Sequence, residues 1–151
     1  MNLTKNQTSA FQTWNDSFLL NIEIIDKQHK KFFEIFDEIL LLSKNGDTTS
    51  KLLEVIEDLQ NYAHYHFQTE EVLMANANSP DSELHIIQHE FFIKKMKEFR
   101  IAYNYNNSVL LNQIVVFMRK WLLMHIYEVD GKYVESVKKY LAENEFQIEQ
   151  Y

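Results

Sequence analysis

Along four stretches of this chain, each about twenty residues long, apolar residues recur every three or four positions, the period of an α-helix. The first runs from about Asp26 to Lys44, with Phe32, Phe33, Phe36, Ile39 and Leu40 on one face. It stops at Asn45-Gly46, where glycine suits a left-handed C-terminal position. The second starts near Thr49 or Ser50 and reaches about Asn76, its stripe being Leu52, Val55, Ile56, Leu59, Ala63, His66, Glu70 and Leu73. Ser79-Pro80-Asp81 reads as an N-cap, a first-turn proline and a favourable acid for the third. That segment continues to about Tyr105 with His85, His89, Phe92, Met96, Phe99 and Tyr103 in phase. After a polar break, the fourth carries Leu111, Ile114, Met118, Trp121, Leu122 and His125 and ends near Asp130-Gly131.

These spacings predict an all-α fold, an antiparallel up-down-up-down four-helix bundle in a single domain spanning residues 1–151. The bundle occupies about 26–131, behind an N-terminal arm at 1–25 whose Phe11, Trp14 and Phe18 pack against it. The extension, 132–151, holds a short amphipathic helix between Tyr133 and Gln147. Two glycines and one proline in 151 residues leave too little turn chemistry for a β-rich fold.

Composition removes several function classes. With no cysteine there is no disulfide, thiolate catalysis or iron–sulfur cluster, so any metal must be held by nitrogen and oxygen. A net charge of −7 argues against nucleic-acid and anionic-membrane partners, which call for a basic face. No apolar run reads as a membrane span, and the polar start Met1-Asn2-Leu3-Thr4-Lys5 has no leader character. A cytoplasmic protein is the expectation.

The histidines stand where the core should be. His29 shares the stripe of Phe32, Phe33 and Phe36; His66 with Glu70, His85 with His89, and His125 interrupt the other three. One histidine on an apolar face is ordinary packing. Five of the chain's six directed into one core are different, because each unpaired buried imidazole costs about 1–3 kcal/mol. His66–Glu70 and His85–His89 are i,i+4 pairs that project from adjacent turns and can converge on a metal. His85-Ile86-Ile87-Gln88-His89 lacks the glutamate of a zinc-protease helix. No histidine is preceded by Glu at the third position before it, which disfavours a carboxylate-rich ferritin-like site. His64, two residues from His66, faces away, and Glu71 beside Glu70 reads as solvated.

Four segments, Ile25-Asp26-Lys27-Gln28-His29-Lys30, His66-Phe67-Gln68-Thr69-Glu70-Glu71, His85-Ile86-Ile87-Gln88-His89 and His125-Ile126-Tyr127-Glu128-Val129-Asp130, resemble the metal-binding signatures of the hemerythrin family, in the family's order and one per helix. Trp14 and Trp121 also resemble family positions, and the spacing from His29 to His66 resembles the first hairpin of bacterial single-domain members. The resemblance covers about Trp14 to Tyr133.

It implies a non-haem centre of two iron ions (Fe2+/Fe3+) with a bridging oxo or hydroxo group. His85, His89 and His125 would bind one iron and His29 and His66 the other, with Glu70 and Asp130 bridging. Two octahedral irons offer twelve positions; five imidazoles, two bidentate carboxylates and the single-atom bridge leave one open, on the two-histidine iron. The implied function is reversible O2 binding for carriage, storage or delivery to an unidentified protein recipient, without catalysis. The alternatives are an O2 or redox sensing module, or a protein handling NO, peroxide or iron, with weak peroxidase or NO-reducing activity. Sensor versions are usually fused to signalling domains, for which this chain has no room.

Asp130 sits five residues after His125, about 140° round an ideal helix. Its participation requires a local π-type widening or a helix end near Gly131; Glu128 is the competitor at i+3. Phe32, Trp121 and Leu122, each about one turn from a ligand histidine, are the candidates to line an apolar O2 pocket. Tyr127 joins them, its hydroxyl pointing either inward to the bound gas or outward.

Overall fold

The computed structural model describes residues 13–46 and 50–144. The expected packing of Phe11, the helix start at Thr49 and the helical reading of 145–147 lie outside the described residues. Four long helices follow one another: α1 (Glu23–Asn45), α2 (Ser50–Asn76), α3 (Ser82–Ala102) and α4 (Asn107–Met124). A π-helical turn (His125–Val129) and a 3-10 turn (Asp130–Tyr133) then lead into α5 (Val134–Glu143). Among the described residues there is no strand.

Chain direction alternates around the bundle. His29 lies early in α1, His66 late in α2, His85 early in α3 and His125 just past α4, yet their rings meet at one level. At the other end Ile39, Leu52, Phe99 and Leu110 share the main core. That core is aromatic-rich, with Phe32, Phe33, Phe36, Phe67 and Phe92 all nearly inaccessible. A second cluster, Ile22, Ile25, Leu73, Met74, Tyr133 and Val137, is built largely from residues at the histidine end. The histidine level is therefore walled by apolar packing from both clusters, and α5 contributes Val137 to the second.

Helix ends follow their local chemistry, with two departures from expectation. Gly46 at φ 64° ends α1, its N–H reaching the Leu42 and Ser43 carbonyls. Asn106 caps α4 through its side chain, which accepts from Val109 N–H. The predicted Ser79-Pro80-Asp81 cap does not form. Asp81 adopts φ 60° and caps α3 with no side-chain bond, while the Ser79 hydroxyl pairs with Ser136 at 2.6 Å. α1 also starts three residues before Asp26, whose carboxylate turns back to accept from Leu20 N–H at 2.7 Å.

The arm lies along α1. Thr13 donates through N–H and hydroxyl to Asp37 (3.0 and 2.8 Å), and Trp14 and Phe18 pack on Phe33 with ring centroids 5.4 and 4.7 Å away. By length and composition, one helical run among the described residues, Asn107–Glu143, could cross a membrane, its most apolar window averaging a mean hydropathy of 1.3. It is not an unbroken apolar run, since Asn112, Gln113, Arg119 and Lys120 interrupt it. Its α4 portion sends Leu110, Leu111, Ile114, Met118 and Leu122 into the bundle core.

Candidate metal centre

Seven buried side chains converge where the four helices' ligand-bearing turns meet. Glu70 and Asp130 have no exposed surface, and His29, His66, His85, His89 and His125 are each at most 4% exposed. The carboxylates stand at the centre. Asp130 Oδ2 is 3.0 Å from His29 Nε2, and its Oδ1 lies 2.9 Å from His85 Nε2 and 3.0 Å from His125 Nε2. Glu70 contacts His66 Nε2 through Oε1, which is 3.8 Å from His89 Nε2, and its Oε2 lies 3.6 Å from His85 Nε2. All five histidines thus present the same ring nitrogen to the carboxylate pair.

The atoms fall into two overlapping groups, each with one ligand atom per residue and all within 4.8 Å of one another. One is Glu70, His85, His89, His125 and Asp130; the other is His29, His66, Glu70 and Asp130. Glu70 and Asp130 belong to both. The structure therefore brings together all seven residues that the sequence nominates.

Asp130 reaches the centre because the helix widens. Its backbone N–H donates to the His125 carbonyl, the i→i+5 bond of a π turn, which sets it over His125 instead of far round the helix. Glu128 remains exposed.

Ring protons are placed by partners on neighbouring helices. Thr69 Oγ1 donates to the Tyr65 carbonyl (3.2 Å), so it accepts from Gln28 Nε2 (3.2 Å). Gln28 Oε1 is thereby turned to accept from His66 Nδ1–H at 2.7 Å. Similarly, Glu71 accepts from His89 Nδ1 at 3.0 Å and Gln88 Oε1 from His125 Nδ1 at 3.1 Å. With the proton on Nδ1, each Nε2 is a lone pair aimed at a carboxylate oxygen. Lone pair against lone pair, excluded from water, is repulsive unless a cation lies between.

The orphaned atoms say the same: Nε2 of His29, His85, His89 and His125 and every carboxylate oxygen of Glu70 and Asp130 are buried without a hydrogen-bond partner. The donor set of nitrogen and oxygen, with no sulfur, suits a transition metal of iron's class. Without a metal, protons take up part of the charge. Burial opposes ionisation of Asp130, yet His125, His29 and His85 together hold its carboxyl well below the usual range. Burial also lowers His29 and His85, but the carboxylates facing them prevail and both are raised. At His66 burial prevails and the ring is lowered.

Rings pack around the centre. Trp121 stacks on His125 (4.1 Å, 12°), Phe32 meets His66 edge-on at 5.4 Å, and Leu122 is buried in the core beneath. Tyr127 departs from the expected pocket. It is 52% exposed and its hydroxyl pairs with Ser17 Oγ at 2.6 Å, because the π turn presents this position to the arm. Glu71 is also not merely solvated, since it holds His89.

Four further contributors escape a reading by stripe. Phe67 stacks on His89 at 3.9 Å and 6°. Tyr133 stacks on His85 (5.6 Å, 9°) with its hydroxyl buried, and burial beside Glu70 and Asp130 pushes the phenol well up. Gln28 and Gln88 each directly precede a site histidine, a repeated Gln-His pair that was the available signal. Each serves a histidine on the next helix instead of its neighbour.

Residues 20–137 match the family model described as the hemerythrin HHE cation binding domain. A bacteriohemerythrin of Clostridium acetobutylicum is 33% identical over 126 residues, covering 81% of this chain and 98% of its own length. One from Pseudomonas aeruginosa is 32% identical over 134 residues, covering 89% and 86%. One from Methylococcus capsulatus is 25% identical over 125 residues, covering 82% and 95%. A crystal structure of a leucine-to-phenylalanine mutant shares the fold, with a TM-score of 0.73 at 22% identity, covering 85% of this chain and 98% of its own.

Proposed function

The chain belongs to the hemerythrin family, and from that premise we propose that it binds O2 reversibly at a non-haem di-iron centre, as a carrier and not as an enzyme. His85, His89 and His125 would hold one iron and His29 and His66 the other. Glu70 and Asp130 would be shared, and an oxo or hydroxo group would complete the bridge. When bound, the iron pair supplies the electrons that O2 takes up and gives back.

The observation that carries this reading is the ring of five imidazole Nε2 atoms turned toward two fully buried carboxylates, with Nε2 of His29, His85, His89 and His125 and all four carboxylate oxygens left without a hydrogen-bond partner. The remaining work falls to the chain. Gln28, Glu71 and Gln88 keep the protons of His66, His89 and His125 on Nδ1 and so orient those rings. Phe32 and Phe67 wall the His66 side with apolar surface, which excludes the water and protons that would convert a reversible site into a consuming one. Five imidazoles against two carboxylates leave less negative charge than a four-carboxylate site, which favours returning the ligand over cleaving it.

The test is metal analysis with a visible spectrum on protein loaded with Fe(II) without air, then given O2, then degassed. Two irons per chain and a band that rises with O2 and fades on degassing are expected. Iron that oxidises in one pass would replace carriage with sensing or with NO, peroxide or iron handling, and failure to load would overturn the metal centre itself.

A further inference from the structure

The three acceptors that hold the histidine Nδ1 protons are not alike. His66 and His125 are each held by a neutral amide, Gln28 at 2.7 Å and Gln88 at 3.1 Å. His89 is held by a carboxylate, Glu71, at 3.0 Å. An amide satisfies a buried imidazole N–H at the two sister positions, so satisfying the hydrogen bond does not require a charge at the third. Nor is Glu71 sealed in the core. Its side chain is 35% exposed, on a cleft of about 550 Å³ between α2 and α3 lined also by His64, Gln68, Glu90, Lys94 and Lys97.

A carboxylate acceptor does what an amide does not. It draws the Nδ1 proton toward itself, gives the ring part of the character of an imidazolate, and strengthens Nε2 as a donor. A stronger donor favours the more highly charged metal ion. The effect is confined to one of the two ligand groups, because His89 belongs to the three-histidine group and not to the pair formed by His29 and His66. His89 is also held flat against Phe67 at 3.9 Å and 6°, so its orientation does not depend on Glu71 alone. Charge and placement are thereby separable at this residue.

We propose that Glu71 is a positioning residue that makes His89 the strongest imidazole donor of the site, and so lowers the reduction potential of the metal in the three-histidine group relative to its neighbour. When an added one-electron oxidant takes the first electron from the reduced pair, the metal held by His85, His89 and His125 would be the one oxidised as the oxidant is reduced. This inference rests on the di-iron reading, and it assigns the redox asymmetry of that site to a residue that touches no metal.

The test compares Glu71→Gln, which keeps shape and acceptor but removes the charge, with Gln88→Glu, which adds a charge at the sister position on His125. Both variants are expected to load the same metal content as the parent. In anaerobic redox titrations the midpoint potential should shift upward in Glu71→Gln and downward in Gln88→Glu, with slower autoxidation in the first and faster in the second. An unchanged midpoint in Glu71→Gln, shifts of the same sign in both, or loss of metal from Glu71→Gln would overturn the proposal. A second readout survives failure of the iron reading. In zinc-loaded protein the imidazole N–H resonance of His89 should be the furthest downfield of the three held protons, and it alone should move upfield in Glu71→Gln. A His89 resonance that matches those of His66 and His125, or is unmoved by the substitution, would overturn the proposal whether or not the protein binds iron.

Discussion

At His66 the decisive hydrogen bond lies three steps from the ring. The Tyr65 carbonyl orients the Thr69 hydroxyl, that hydroxyl orients the Gln28 amide, and the amide places the imidazole proton. Thr69→Val cuts the chain at its first link and leaves the amide free to turn its N–H₂ toward the ring. Metal affinity read by chelator competition should fall about tenfold, with a stability loss of about 1 kcal/mol in urea titration. His85→Ala should remove metal outright, whereas His64→Ala on the exposed side of α2 should leave metal content unchanged. Metal retained in the first or lost in the second would mean the inward face is misassigned. Tyr127→Phe should leave metal content and ligand behaviour intact, since its hydroxyl serves Ser17. At this scale the inward histidines were legible because they break apolar stripes. Gln28, Gln88 and Glu71 were not, because adjacent residues on a helix point about 100° apart. A residue next to an inward-facing one, as Gln28 is to His29, Gln88 to His89 and Glu71 to Glu70, therefore faces the neighbouring helix, and which helix that is depends on the packing.

The element that most needed the structure is the turn after α4. Periodicity carries a reader through His125 and then fails, since Asp130 falls on the wrong face of any regular helix. The need for either a widening or a helix end near Gly131 followed from the residues, while the choice between them and its extent, one π turn over His125–Val129 closed by Asp130 N–H on the His125 carbonyl, did not. Glu128, in helical phase with His125, is exposed. Asp130→Asn should therefore lower metal content while Glu128→Gln leaves it at the parental value, and a loss in the second variant would restore Glu128 as the competing ligand. The end of α1 is simpler. Gly46 stands at φ 64° with open space where a Cβ would be, so the cost of a side chain there is conformational and not steric. Gly46→Ala should lower stability by about 1 kcal/mol in urea denaturation without touching the metal centre. The same logic explains the failed cap at α3. Ser79, Pro80 and Asp81 carry the composition of a helix start, but Asp81 is drawn into a left-handed turn and the Ser79 hydroxyl is taken by Ser136, a partner outside any local window.

For the whole molecule, metal and protons compete for the same buried charge. Without metal, the ion pairs of Asp130 with His29 and His85 raise both histidines above their ordinary value of 6.5. A raised histidine contributes stability that is complete below 6.5 and is lost as pH climbs through the folded-state value. His66 works oppositely: burial lowers it, so its contribution grows as pH rises toward 6.5. Above that value only the two losses continue, and the metal-free protein should weaken with rising pH. The loaded protein should not follow, because a metal replaces those protons and entering metal must expel them, which becomes easier as they grow scarce. The difference in Tm between loaded and metal-free protein should therefore widen from about pH 6.5 to about pH 8. Paired calorimetric scans with and without bound metal would measure it. A gap that stayed constant or narrowed would mean that His29 and His85 are already neutral in the metal-free core, and that something other than protonation balances Asp130 and Glu70 until the metal arrives.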